Sequence, residues 1–177
     1  MGTAANIFVG APVTVKIGAY VTAKGAATLS DVGFTMGGVT FDPKVELHQV
    51  EVDQKLGVLS ALPKKREYEL KMKLMEAIPS SLAIALGQPT TNVTGTSPNQ
   101  TLSIDASAVE QYHQIQLVVP GGGTNKTNTI TIWKAAVKEM GGWMFKKDGA
   151  QELDLTWLLC EETTGSGTDS IAKSVNS

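Results

Sequence analysis

The chain has 177 residues, 42% of them hydrophobic and 18% charged, with a formal net charge of −2. That composition fits one globular domain with a sizeable core, and the near-balanced charge excludes a strongly basic nucleic-acid clamp. The single cysteine, Cys160, excludes an internal disulfide and, within LTWLLC, reads as a small buried hydrophobe.

The opening MGTAANIFVG has no basic stretch followed by an apolar one, so no signal peptide is expected. Asn6 stands where a myristoylation motif needs Ser or Thr. No apolar run approaches the ~20 residues of a membrane span, so no membrane partner is expected and folding in a cytoplasm is. PVTVKI places Val13, Val15 and Ile17 on one face of a strand, with Thr14 and Lys16 opposite. VTFDPKVEL keeps Val39, Phe41, Val45 and Leu47 in one register. Pro43 among them cannot donate to a ladder, which marks a sheet edge or a kink. Val50 and Val52 are one step out of phase, and a bulge near His48–Gln49 would restore a common face.

Two long strands follow one another here, KVELHQVEVD (Lys44–Asp53) and KKREYELKMKL (Lys64–Leu74). The connection Gln54–Pro63 reads as too long for a tight hairpin and is unusually apolar, with Leu56, Val58, Leu59, Ala61 and Leu62. A solvated loop tip does not need such residues, so they ask for a surface, either their own core or another subunit. In EYELKMKL, Tyr68, Leu70, Met72 and Leu74 form the core side; Glu67, Glu69, Lys71 and Lys73 form the other. With the bulge, Glu46, Glu51 and Asp53 join the charged face, giving five acids against two bases. Such a face suits a solvated outer sheet. It equally suits a wall past which a polyanion must move without sticking, because every Lys or Arg contact to phosphate adds salt-dependent affinity.

IPSSLAIALGQP predicts a short helix opened by Pro79 with a Ser80 or Ser81 cap and ended by Gly87 and Pro89. Leu82, Ile84 and Leu86 would pack it on the sheet, without which so short a helix would not persist. Ser107–Tyr112 is a weaker helical candidate. IQLVV (Ile115–Val119), TITIW (Thr129–Trp133) and ELDLTWLL (Glu152–Leu159) are strands; Leu153, Leu155, Trp157 and Leu159 share a face, with Trp157 in the core. No internal repeat is present. The pattern implies a mainly β fold, a β-sandwich or partial barrel with one short flanking helix and a long β-hairpin. Residues 1–162 would form the single domain, and the polar tail 163–177 would fray unless ordered on a neighbouring subunit.

Chemistry-bearing motifs are nearly absent. His48 and His113 stand apart from any cluster of ligands. GGGTNKT (Gly121–Thr127) lacks the Gly before Lys126 that a phosphate loop needs, and a strand follows it instead of a helix. There is no Gly-x-Ser-x-Gly elbow. The sequons at Asn92, Asn99 and Asn125 read as polar loop residues. No enzyme, cofactor or metal is expected.

The run from Gly38 to Gly87, GVTFDPKVELHQVEVDQKLGVLSALPKKREYELKMKLMEAIPSSLAIALG, resembles the tail tube (major tail) proteins of long non-contractile phage tails, of the siphovirus type. The shared pattern is a long strand ending in a VEVDQ-like acidic segment, a loop, a second long strand, and a short helix of alternating Leu and Ala. The resemblance implies a structural virion protein in hexameric rings stacked into a hollow tube, assembled in the host cytoplasm. It implies the terminator, tape measure and tail tip proteins as partners, and genomic DNA transiting the lumen without specific binding. Carried onto this sequence, Glu46, Glu51, Asp53, Glu67 and Glu69 would face the lumen. Leu56, Val58, Leu59 and Leu62 would belong to the loop that stacks ring on ring. Lys71 and Lys73 depart from an acidic wall. The alternatives are another tube-like ring protein, such as a tail terminator or secretion-tube component, or a carbohydrate- or ligand-binding β-sandwich module. The last would usually offer an aromatic platform, whereas the tryptophans here are scattered.

Overall fold

The computed structural model describes residues 13–25, 27–33, 35–51, 58–75, 78–96, 98–106, 111–120, 127–142, 151–164 and 170–176. The strands are β1 (Thr14–Ala19), β2 (Ser30–Asp31), β3 (Thr35–Glu51), β4 (Val58–Leu74), β5 (Val93–Thr96), β6 (Asn99–Leu102), β7 (His113–Pro120), β8 (Thr127–Met140), β9 (Leu153–Leu159) and β10 (Ala172–Asn176). Among the described residues a single α-helix, α1 (Pro79–Ala85), follows β4. The fold is mainly β with one short helix, as the two-residue periodicity implies.

One antiparallel sheet runs in the order β2-β1-β7-β8-β9-β4-β3, with β10 also paired to β8, and β5-β6 form a separate hairpin. The apolar faces of β1, β4, β7, β8 and β9 meet in one cluster that includes Val15, Ile17, Leu70, Leu74, Ile115, Ile132, Leu155 and Trp157. Both wings of the sheet therefore share a single core, in the manner of a sandwich, without closing into a barrel. Trp157 is fully buried, with its ring edge-on to His113. Each fully buried Leu or Ile contributes roughly 1.5–3 kcal/mol.

The α1 helix begins differently from its sequence signal. Ile78 is the N-cap and makes no side-chain cap bond, Pro79 occupies the first turn, and Ser81 is buried instead of capping. Its end matches the signal. Gly87, at φ +63°, donates to Ile84, and the Gln88 N–H donates to the Ala83 carbonyl. That pair of bonds satisfies the last carbonyls and needs a left-handed residue, which Gly supplies without strain. Ala83 and Ala85 are buried; Leu82 and Ile84 are partly buried against the core, and Leu86 is half-buried at the C-cap.

Five further expectations are corrected. Beyond an irregularity between Thr35 and Val39, those of the β3–β4 ladder lie between Glu46 and Leu47 and between Val50 and Glu51, while Leu47–Val50 pair without interruption with Pro63–Ser60, so no bulge sits at His48–Gln49. Most of the connection assigned to Gln54–Pro63 is strand: β4 starts at Val58 and pairs with the end of β3. Asp53 and Leu56 lie outside the described residues, as do the side chains of Glu51, Val58 and Leu59. Within 163–177, Ala172–Asn176 pair with Ile132–Asn128 of the chain's own β8, so this part of the tail has a partner in the same chain. Cys160 is only half-buried. Gln111 and Tyr112 are not helical, and the rest of that second helical candidate is outside the described residues.

Candidate functional site

The β3–β4 hairpin outreaches the body of the protein. Each of its strands has 17 residues, yet β9 pairs with β4 only from Glu69 to Leu74. Val58–Tyr68 have β3 as their sole strand partner among the described residues, a ribbon of roughly 35 Å at ~3.3 Å per residue. β3 is the terminal strand of the sheet, and among the described residues no strand pairs with its outer edge. Pro43, opposite Tyr68, sits on that edge, where a missing N–H costs no ladder bond. Gly37 and Gly38, at φ +75° and +82°, shape the irregularity at the root of the hairpin.

The two faces of the ribbon differ in chemistry. On the side that continues the core, Phe41, Val45 and Leu47 are 47%, 53% and 51% exposed, and Phe41 lies 5.8 Å from the Tyr68 ring, centroid to centroid. The opposite side is charged and continues over β9 to β8. There the Glu69 carboxylate accepts from Lys138 Nζ at 2.5 Å and Lys44 Nζ at 2.7 Å, with Lys71 Nζ at 3.7 Å. Glu67 meets Lys138 at 2.5 Å and Lys65 at 2.6 Å. Lys71 pairs with Asp42, Lys73 with Glu152 and Asp154, and Lys64 with Glu46. The Lys138 ammonium, then Lys65, holds the Glu67 carboxyl down at about 2; Lys138, then Lys44, does the same to Glu69. The same bonds raise Lys138 above the usual lysine range, and Asp42 and Glu152 raise Lys71 and Lys73.

Of the five acids assigned to this face, Glu46, Glu67 and Glu69 are seen on it. Glu46 is exposed and Glu67 half-buried, but Glu69 is buried, its side chain 3% exposed, beneath the lysines around it. The face is thus a lattice of ion pairs and not an open acidic wall. Sequence reasoning missed Asp42, Lys44 and Lys138. Lys44 lies directly opposite Glu67 in the ladder. Lys138 reaches the site because β8 continues to Met140, where an irregularity between Val137 and Glu139 adds one residue on the Lys138 side. Lys-x-x-x-Lys at 134 and 138 was a visible signal, masked by an earlier slip of phase on β8 between Ile132 and Ala135.

A second polar cluster ties the chain together elsewhere. Tyr20 and Thr164 donate to Glu162, which is buried and held down at about 2, chiefly by Thr164. Lys134 Nζ lies over the rings of Tyr112 at 4.4 Å and Tyr20 at 5.2 Å. His113 is buried, burial pushes its imidazole down to about 4, and its Nδ1 has no partner among the described residues. His48 is exposed. Among the described residues no three His, Cys, Asp or Glu side chains converge as a metal site, and no helix is long and apolar enough to cross a membrane.

In fold class the chain is a mainly β, sandwich-like domain with a protruding hairpin. No family model matches it, and no curated protein matches it in sequence. Among solved structures it is similar to a chain of the anti-feeding prophage baseplate, determined by cryo-electron microscopy with six-fold symmetrisation. The identity is 15% and the TM-score 0.48, over 89% of this chain and 92% of that one, a likeness too distant to bear on function.

Proposed function

We propose that this chain is a structural subunit that assembles with copies of itself into rings, and that the rings stack as the tube of a phage tail. The observation that carries the reading is the overhanging hairpin: among the described residues the outer edge of β3 and the edge of β4 from Val58 to Tyr68 have no strand partner, and nothing covers the apolar face. A two-stranded ribbon of this length is marginal in water by itself, and open edges invite another chain. Hairpins from several copies set side by side would satisfy both edges. The apolar stripe would then turn toward the neighbouring body and the ion-paired face toward a central channel. The resemblance of Gly38–Gly87 to tail tube proteins supports the finer terms: six copies per ring, stacking through the distal part of the hairpin, where Leu62 lies opposite His48, tape measure, tail tip and terminator proteins as partners, and DNA passing through the lumen of a virion tail.

Hydrogen exchange tests the edges. In the free subunit, alternate amides of Ser60–Tyr68 and of β3 should exchange quickly, and assembly should protect them. Equal protection in both states would overturn the reading.

A further inference from the structure

We infer that Glu69 is a built-in substitute for a phosphate: its carboxylate fills an anion site made by Lys44, Lys71 and Lys138, and thereby keeps a polyanion from binding to this face. This deepens the reading of the face as a channel wall and rests on it for its purpose, while the geometry of the site stands without it. The three ammonium groups come from separate places, β3, the next outward position of β4, and β8 beyond β9, yet they converge on one carboxylate. Lys44 lies on Oε2 at 2.7 Å, Lys138 on Oε1 at 2.5 Å, and Lys71 3.7 Å from Oε2. The lysine side chains are 40–50% exposed and Glu69 only 3%. The carboxylate lies deep and the cations sit at the rim, the arrangement of an anion site occupied by a tethered anion. Lys138 is further engaged by Glu67 and Lys71 by Asp42. A phosphodiester arriving from solvent therefore meets ammonium groups whose charge a carboxylate already matches, and contact with them would place its own charge beside that carboxylate.

With the carboxylate removed, the same lysines would surround a hole of carboxylate size. A phosphate oxygen could enter it, and each contact would add the salt-dependent affinity of counterion release. On this reading an acidic excess is not what keeps the wall slippery; local one-to-one pairing is, and Glu69 is the residue on which it turns.

The test uses the full-length, unassembled protein and a short fluorescent double-stranded DNA, by anisotropy at 50 and 200 mM salt. The wild type should show no saturable binding in the micromolar range. Glu69→Ala should bind at least tenfold more tightly, and three phosphate contacts should weaken that binding roughly 40-fold between the two salt concentrations. Adding Lys44→Met and Lys138→Met should abolish it. Glu69→Gln, which keeps the side-chain shape and removes the charge, should gain binding in the same direction and serves if Glu69→Ala does not fold. Wild type and Glu69 variants binding alike, or failing alike, would overturn the inference, as would binding that survives loss of the lysines. Ring formation by the wild type is decided separately, so failure here leaves the assembly reading to its own test.

Discussion

Val45→Asp separates the folding role of the hairpin from its assembly role. Val45 is 53% exposed in the free chain and lies directly across the ladder from Arg66. Fully burying a Val side chain contributes roughly 1.5–3 kcal/mol, so at half burial about 1 kcal/mol is at stake on folding. An Asp opposite Arg66 forms an opposite-charge cross-strand pair that returns about 0.2–1 kcal/mol. The free subunit should therefore unfold in urea within about 1 kcal/mol of the wild type. In the proposed ring the same position would be covered by a neighbour, where a desolvated carboxylate would cost several kcal/mol in every copy. Since ~1.4 kcal/mol is a factor of ten, association should weaken at least a hundredfold. Urea titration reports the first quantity and sedimentation velocity the second. A Val45→Asp protein that assembles at wild-type concentration would show that the apolar stripe is not an interface. One that is unfolded would show that the stripe belongs to the chain's own core.

Trp157→Ala should destabilise the subunit by about 3–5 kcal/mol, because a fully buried ring is lost from the centre of the sheet and the cavity relaxes only in part; urea unfolding measures it, and a loss under 1 kcal/mol would contradict the core assignment. Gly87→Ala should cost about 1–2 kcal/mol and lower Tm, since Ala is strained at φ +63°; an unchanged Tm would refute the account of the helix end. His113 has a depressed folded pKa of about 4 against an ordinary 6.5, so the unfolded state binds its proton first on acidification. Its contribution should be complete above pH ~6.5, decline as pH falls through the window down to about 4, and be level below that. His113→Phe should flatten the Tm–pH profile in that window, and an unaltered slope would refute the assignment.

How much of this was legible in the sequence follows from where alternation is intact. EYELKMKL and ELDLTWLL alternate without a break, and Leu70, Met72, Leu74, Leu153, Leu155 and Trp157 are core residues for that reason. Pro43 correctly marked an edge, because only an edge tolerates a residue without an N–H. Alternation failed wherever the ladder gains a residue. The gain between Ile132 and Ala135 shifts the core positions of β8 by one step, so the strand seemed to end at Trp133 and Lys138 went unseen. In the outer part of β3–β4 the irregularities at Glu46/Leu47 and Val50/Glu51 bring two residues of β4 against one of β3, which no pattern in β3 alone could reveal. The charge state of Glu69 was illegible for a related reason. Its three lysines are distributed over β3, β4 and β8, and only the sheet order β8-β9-β4-β3 brings them to one carboxylate.

The central claim is self-assembly around a channel, and negative-stain electron microscopy of the purified protein over a concentration series tests it most directly. The account predicts rings at intermediate concentration and hollow tubes with a stain-filled centre at high concentration, both missing from the Val45→Asp protein. Monodisperse single particles of subunit size at every concentration, or filaments without a central channel, would contradict it.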